Sequence, residues 1–263
     1  MKRSLLSKIL MFIGIPVVIT YCAIGAITLN TANHSVSEIT TKELAARSQA
    51  ASYQIDGVFI KYMEMAKQMA QNRQFEQLCY ATTPTVGILE APGFPQALTT
   101  MVNIEKSDPD NIMCSWVVDF ETNQITDSDG WIGDPDWDAK TRPWYPPLLD
   151  KKGVIITDPY VDTSTQLVVV SSIAPIFKAG TQEIIGAVGI DFNIDSINVM
   201  MKEYKLGKTG FYILASSDGQ IIYHPNEKYK NVNVADTKLS KNIQTAILKK
   251  KVGNITYTSD KLK

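Results

Sequence analysis

The chain has 263 residues, 44% of them hydrophobic and 20% charged, a globular composition too rich in aliphatics for a disordered polymer. Its 26 basic and 27 acidic residues give a formal charge of −1, without the basic surplus of a nucleic-acid-binding domain. Three cysteines, Cys22, Cys79 and Cys114, are too few to staple a secreted scaffold, although Cys79 and Cys114 leave one disulfide open.

Lys2, Arg3 and Lys8 make residues 1–8 a basic flank, and the run from Ile9 to Leu29 that follows has no ionisable charge. At about 1.5 Å per residue this run spans roughly 30 Å, the thickness of a bilayer's hydrocarbon core. It exceeds the apolar stretch of a cleaved signal, about 7–15 residues. Its small-x-small pattern at Ala23–Ala26 is poor, and Tyr21 before Cys22 argues against lipoprotein processing. The expectation is an uncleaved transmembrane helix over 9–29. The positive-inside bias then leaves the rest of the chain outside the cytoplasm. Pro16 is tolerated in such a helix.

From 33 to 80 there is no proline and one glycine, Gly57. Ile55, Val58, Phe59, Tyr62, Ala66 and Met69 recur at steps of three and four, as one buried helical stripe does. This predicts a single long helix over 30–80, the spine of the extracytoplasmic part, with Met63, Met65 and Met69 filling gaps in a helical interface. A Pro/Gly-containing loop at Pro84–Pro95 leads to a short helix near Phe94–Val102. Strand-like runs follow at Met113–Phe120, Gln124–Asp127, Leu167–Phe177, Ile184–Phe192, Gly210–Ala215 and Gln220–His224, punctuated by Asp129-Gly130, Lys152-Gly153, Ala179-Gly180 and Asp218-Gly219. Asp195–Tyr204 is a short helix by the same criteria. A strand, an acidic Asp-Gly turn and another strand occur near 113–131 and again near 210–224. Two α+β modules are therefore expected, over 81–204 and 205–263. Gly253 to Ser259 looks like a strand beginning, so the second module is expected to be cut short and the chain to be a piece of a longer protein.

The segment Asp127–Tyr145, DSDGWIGDPDWDAKTRPWY, is the densest in chemistry. An EF-hand alignment that puts Asp127, Asp129 and Gly130 at loop positions 3, 5 and 6 leaves Ile125 at position 1, which has no ligand oxygen. Calcium is not expected. Pro143 pushes Arg142 out of helical geometry, making it extended and directional. Its guanidinium can grip a carboxylate through two parallel hydrogen bonds, and Trp144 and Tyr145 bring flat apolar walls. A surface ion pair backed by core aromatics accounts for the tetrapeptide equally well. In Ile184–Phe192, alternation puts Ile184, Val188, Ile190 and Phe192 on one face and Ile185, Ala187, Gly189 and Asp191 on the other. A buried carboxylate there wants a cation, either a protein lysine or arginine or a ligand ammonium. Tyr160, in Asp158-Pro-Tyr-Val-Asp162, adds a hydroxyl or an aromatic face. One arginine, one aspartate and several aromatics are together complementary to a zwitterion.

From about residue 33 onward the chain resembles the double Cache extracytoplasmic domain of bacterial chemoreceptors and related transmembrane sensors, in its amino-acid-sensing form. The resemblance rests on an aromatic five residues before an Arg-x-Trp-Tyr run, a tyrosine eighteen residues after the arginine and an aspartate on a later strand. It implies an α+β fold in which a membrane-emergent helix carries two PAS-like modules with antiparallel sheets, the membrane-distal one binding the ligand. It also implies a site of Trp137, Arg142, Trp144, Tyr145, Tyr160 and Asp191. Arg142 and Trp144 would hold the carboxylate, and Tyr145, Tyr160 and Asp191 the amino group. The family usually has tyrosine at Trp137, whose indole donates a hydrogen bond but accepts none. Amine-sensing relatives have an acidic residue where Arg142 stands, so the arginine points to a ligand with a carboxylate.

The implied function is that of a membrane receptor in chemotaxis, working as a homodimer and signalling to cytoplasmic proteins through a part beyond residue 263. A histidine kinase or diguanylate cyclase output, or a non-amino-acid carboxylate ligand, are the alternatives. His34 and His224 stand about 190 positions apart without acidic or cysteine company, so neither metal nor cofactor is expected. No nucleotide-binding or serine-hydrolase motif is present, and Asp158, Asp162 and Asp191 have no recognisable catalytic spacing. An enzyme is not expected.

Overall fold

The computed structural model describes residues 9–204, 206, 210–250 and 253. The basic flank at 1–8 and, apart from Gly253, the strand expected over Gly253–Ser259 lie outside the described residues. The chain divides into two compact units, 1–50 and 51–263. In the first, a π-helical turn, Leu10–Gly14, leads into helix α1, Ile15–Gln71. Pro16 has no N–H for the preceding turn, and the wider winding falls there. The helix is long and apolar enough to cross a membrane.

In the second unit, α1 buries Ala51, Ile55, Tyr62, Ala66 and Met69, and Val58 and Phe59 pack against the same core. The helix expected to reach residue 80 is interrupted at Asn72. That residue leaves helical geometry, with ψ at 117°, and caps α2, Arg73–Ala81, its side-chain oxygen accepting the Gln74 N–H at 3.3 Å. Asparagine competes for backbone donors in this way, which favours it at caps over helix interiors. Helix α3, Phe94–Lys106, starts with Pro95 in its first turn.

The strands are β1 (Ile112–Asp119), β2 (Gln124–Asp127), β3 (Ile155–Ile156), β4 (Tyr160–Val161), β5 (Val168–Phe177) and β6 (Ile184–Asn193). All pair antiparallel in one sheet of order β2-β1-β6-β5-β3, with β4 also on β5. Between β2 and β3, helix α4 covers Tyr145–Lys151. Helix α5 (Ile194–Glu203) then leads to a small hairpin, β7 (Leu214–Ala215) with β8 (Ile221–Tyr223), and to helix α6 (Lys241–Leu248). This is the α+β architecture expected.

The sheet separates two cores. On one face Val117, Val170, Ala174, Ile176, Val188, Ile190 and Phe192 pack against α1, α2 and α3. On the other, Cys114, Trp116, Val118, Ile173 and Ala187 meet Trp144, Leu148 and Ile155. The alternation read along β6 therefore holds from Ala187 to Phe192. Ile185 instead joins the helix-side core, where the β5–β6 register shifts. Cys79 and Cys114 are free thiols lying in different cores.

Phe192 ties α1 to the sheet. Its ring stacks on Tyr62, with centroids 4.6 Å apart, and is fully buried. The Tyr62 hydroxyl donates to Asp108 at 3.0 Å, and Lys61 pairs with the same carboxylate. Phe192→Ala is expected to lower stability by about 3–5 kcal/mol, the cost of a large cavity in a dry core. Urea denaturation followed by circular dichroism measures this; a loss below about 1 kcal/mol would mean that the stack does not anchor the helix.

Candidate functional site

The face of the sheet away from α1 forms the floor of a cleft. Its centre is Asp191 on β6, only 2% exposed. Oδ1 accepts the Trp116 indole N–H at 2.9 Å and the Ser171 hydroxyl, while among the described residues Oδ2 has only the Cys114 thiol, at 3.6 Å. The cation expected beside this carboxylate is absent among the described residues; three uncharged donors take its place. Trp116 reaches Asp191 by lying across Gly189, its partner in the β1–β6 register. A Cβ at position 189 would sit 2.1 Å from the indole.

Tyr160 extends the network. Its hydroxyl lies 2.8 Å from the Ser171 oxygen. Because Ser171 donates onward to Asp191, Tyr160 donates to Ser171 and keeps its own lone pairs free. The Tyr160 lone pairs and Oδ2 of Asp191 are then two acceptors with unused capacity for a bound donor.

Arg142 lines the same cleft, on the Tyr160 side of this network. It is extended, with φ −77° and ψ 140°, as the following proline requires. Its Nη2 donates to the Val161 carbonyl at 3.3 Å, and its guanidinium lies 5.9 Å from the Tyr160 ring centre. It forms no ion pair among the described residues, which sets aside the surface salt bridge. Trp144 is buried beside Trp116, with ring centroids 5.3 Å apart. Trp137 also lines the cleft, and its indole N–H is buried without a hydrogen-bond partner among the described residues.

Five of the six expected residues, Trp137, Arg142, Trp144, Tyr160 and Asp191, thus line one cleft. Tyr145 does not. Its ring packs edge-on to Phe120, with centroids 5.1 Å apart. Successive residues at a helix start point roughly 100° apart, so Trp144 and Tyr145 cannot both face the ligand side. The cleft also holds Trp116, Asp127, Trp131 and Asp162, which sequence reasoning did not assign to it. Alternation along β1 and β2 carries the signal for two of them: Trp116 shares a face with Cys114, and Asp127 pairs with Trp116 across the strands. The space between these residues, open to solvent on one side, is about 380 Å³.

The Cache domain family profile matches residues 29–262. Over 102 residues the chain is 31% identical to the methyl-accepting chemotaxis protein PscA of Pseudomonas syringae pv. tomato, a stretch that covers 38% of this chain and 16% of that protein. It is 32% identical over 123 residues to the methyl-accepting chemotaxis protein McpB of Bacillus subtilis, covering 46% and 17%. The matched stretch spans less than a fifth of each relative's length. Among solved structures, the ligand-binding domain of the Pseudomonas fluorescens chemoreceptor CtaA in complex with L-isoleucine aligns with a TM-score of 0.61 at 19% identity, over 78% of this chain and 77% of that one. The ligand-binding domain of the Pseudomonas aeruginosa chemoreceptor PctB in complex with L-Arg aligns at 0.58 and 16%, over 74% and 70%. At these identities the structural likeness is one of fold.

Burial pushes Asp191 up to about 6; Ser171, Trp116 and Cys114 pull it down, and the Asp162 carboxylate adds to the rise. Between the ordinary carboxylate value, about 3.9, and about 6, the folded chain holds a proton that the unfolded chain has released. Stability therefore falls as pH rises through this window, and above it the whole penalty is present, on the order of 3 kcal/mol. Asp191→Asn keeps an oxygen for Trp116 and Ser171 while removing the charge. In the ligand-free protein it is expected to be more stable than the native chain at pH 7, by about 1–3 kcal/mol, with the difference shrinking towards pH 4. Urea denaturation at both pH values tests this; a difference that does not change with pH would mean that Asp191 is not a strained anion.

Proposed function

The chain belongs to the Cache domain family, and on that premise we propose that it is the extracytoplasmic sensor region of a transmembrane chemoreceptor whose cleft binds a small α-amino acid. The observation that carries this reading is the pairing, in one cleft, of a guanidinium without a carboxylate and a buried carboxylate without a cation among the described residues. Arg142 takes the ligand carboxylate with two charge-assisted hydrogen bonds, and Trp137 has an indole N–H to add. Asp191 Oδ2 and the Tyr160 hydroxyl take the ammonium, whose charge offsets the cost of burying Asp191. The chemotaxis relatives support the receptor class.

Two contacts join the cleft to the β7–β8 region. Asp158, just before β4, accepts the Ser217 N–H and hydroxyl at 3.3 and 3.2 Å. Asp195, just after β6, pairs with Lys230 at 2.6 Å. A ligand that draws β4 and β6 together favours one arrangement of these contacts over another, which is the differential affinity a switch needs. In this reading the region lies outside the cytoplasm, the receptor is a homodimer, and the output reaches cytoplasmic signalling proteins through a part beyond residue 263.

Calorimetric titration of the chain in nanodiscs with the L-amino acids tests the reading. At least one should bind, and Arg142→Ala should weaken it by about 1.5–3 kcal/mol, the range for hydrogen bonds to a charged group. A methyl ester of the same amino acid should lose affinity for native protein similarly. Affinity should also decline as pH falls below about 6, where Asp191 becomes protonated and loses its hold on the ammonium. Unchanged binding by Arg142→Ala would rule the zwitterion cleft out.

A further inference from the structure

Resting on the amino-acid reading, the charge balance of the cleft carries one step further. Its lining has three carboxylates, Asp127, Asp162 and Asp191, against a single cation, Arg142. A zwitterionic backbone brings one charge of each sign and leaves that imbalance untouched. Asp127 is only 5% exposed, yet no protein cation meets it among the described residues. Its Oδ1 accepts the backbone N–H groups of Asp129 and Trp131 at 2.9 and 3.0 Å, which fixes the carboxylate and holds Trp131 beside it. No hydrogen bond among the described residues engages Oδ2. Asp127 and Asp191 lie on the two strands flanking β1, on the same face of the sheet. The thiol of Cys114 lies between them, pushed up first by burial and then by both carboxylates. Two strand spacings across the sheet and a two-residue offset along it separate the backbones of the two aspartates by about 12 Å. Each ion pair takes up roughly 2.8 Å of that span, so two ligand cations joined by a short chain can meet both carboxylates. Trp131 and Trp137 line the same cleft and offer indole faces, the best aromatic partners for a cation.

We infer that Asp127, with Trp131 and Trp137, forms a side-chain subsite for a second cation, so that the cleft selects α-amino acids whose side chain ends in an ammonium or guanidinium group three or four methylenes from the α-carbon. Asp191 and Tyr160 hold the α-ammonium, Arg142 holds the carboxylate, and Asp127 reads the far end of the side chain.

L-Lysine and L-norleucine differ by the terminal ammonium, and their affinities for the chain in nanodiscs, measured calorimetrically, isolate the subsite. Native protein is expected to bind L-lysine at least tenfold more tightly than L-norleucine. Asp127→Asn, which retains an oxygen for the Asp129 and Trp131 N–H groups, should bring that ratio close to one. Trp131→Leu should reduce it severalfold and serves as the second variant if Asp127→Asn does not fold. A ratio near one in native protein, or a native ratio that survives both substitutions, overturns the subsite while leaving the amino-acid reading standing. A panel in which no L-amino acid binds native protein overturns both.

Discussion

An anion held in the interior by uncharged donors is the constraint around which the second unit is arranged. Asp191 is kept by an indole, a hydroxyl and a thiol, none of which neutralises it. Each donor sets a demand elsewhere. Trp116 can reach the carboxylate only where β6 has no side chain at Gly189. Ser171 must stand opposite Asp191 in the β5–β6 register, and Tyr160 must come close enough on the neighbouring short strand to complete the chain of hydroxyls. A protein lysine beside Asp191 would remove the strain and also fill the place that the proposed function gives to a ligand ammonium. The cost is compatible with a stable fold because the opposite face of the sheet is a separate, dry core.

That division of labour runs through the sheet. Val188, Ile190 and Phe192 face the helices and fix α1 in its unit, while the intervening Ala187, Gly189 and Asp191 face the cleft. A strand of period two can thus serve stability and recognition with alternate residues, and a slip of one position would exchange the two sets. Arg142 comes from outside the sheet, on an extended residue held between a short 3-10 turn and α4, with Pro143 limiting its backbone freedom. The two halves of the site therefore come from different structural sources, one from the sheet and one from a loop.

Most strands and the stripe of α1 were legible because periodicity and turn residues are local signals. The face of Asp191 followed from alternation alone, and the extended geometry of Arg142 from the next residue. Three features were not legible, each for a physical reason. Asn72 breaks the helix by capping the next one, and nothing in the apolar pattern marks that competition. Tyr145 turns away because the helix starts at that residue, and a shift of one position in a helix start rotates a side chain by roughly 100°. The absence of a cation at Asp191 depends on which donors three different strands bring together, which is tertiary information. Asp162 entered the cleft for the same reason: its neighbours there come from segments distant in sequence.

The cleft walls have an optical consequence. The chain has four tryptophans, and all of them, Trp116, Trp131, Trp137 and Trp144, line this one cleft. Excited at the red edge of protein absorption, the molecule therefore emits from a single locality. One emitter has its N–H on a carboxylate, a second lies against it, and two others stand half-exposed on the walls. Unmodified protein is in this sense a labelled protein: occupancy, protonation of Asp191 and movement of the walls all reach the same spectrum, with no background from indoles elsewhere in the chain.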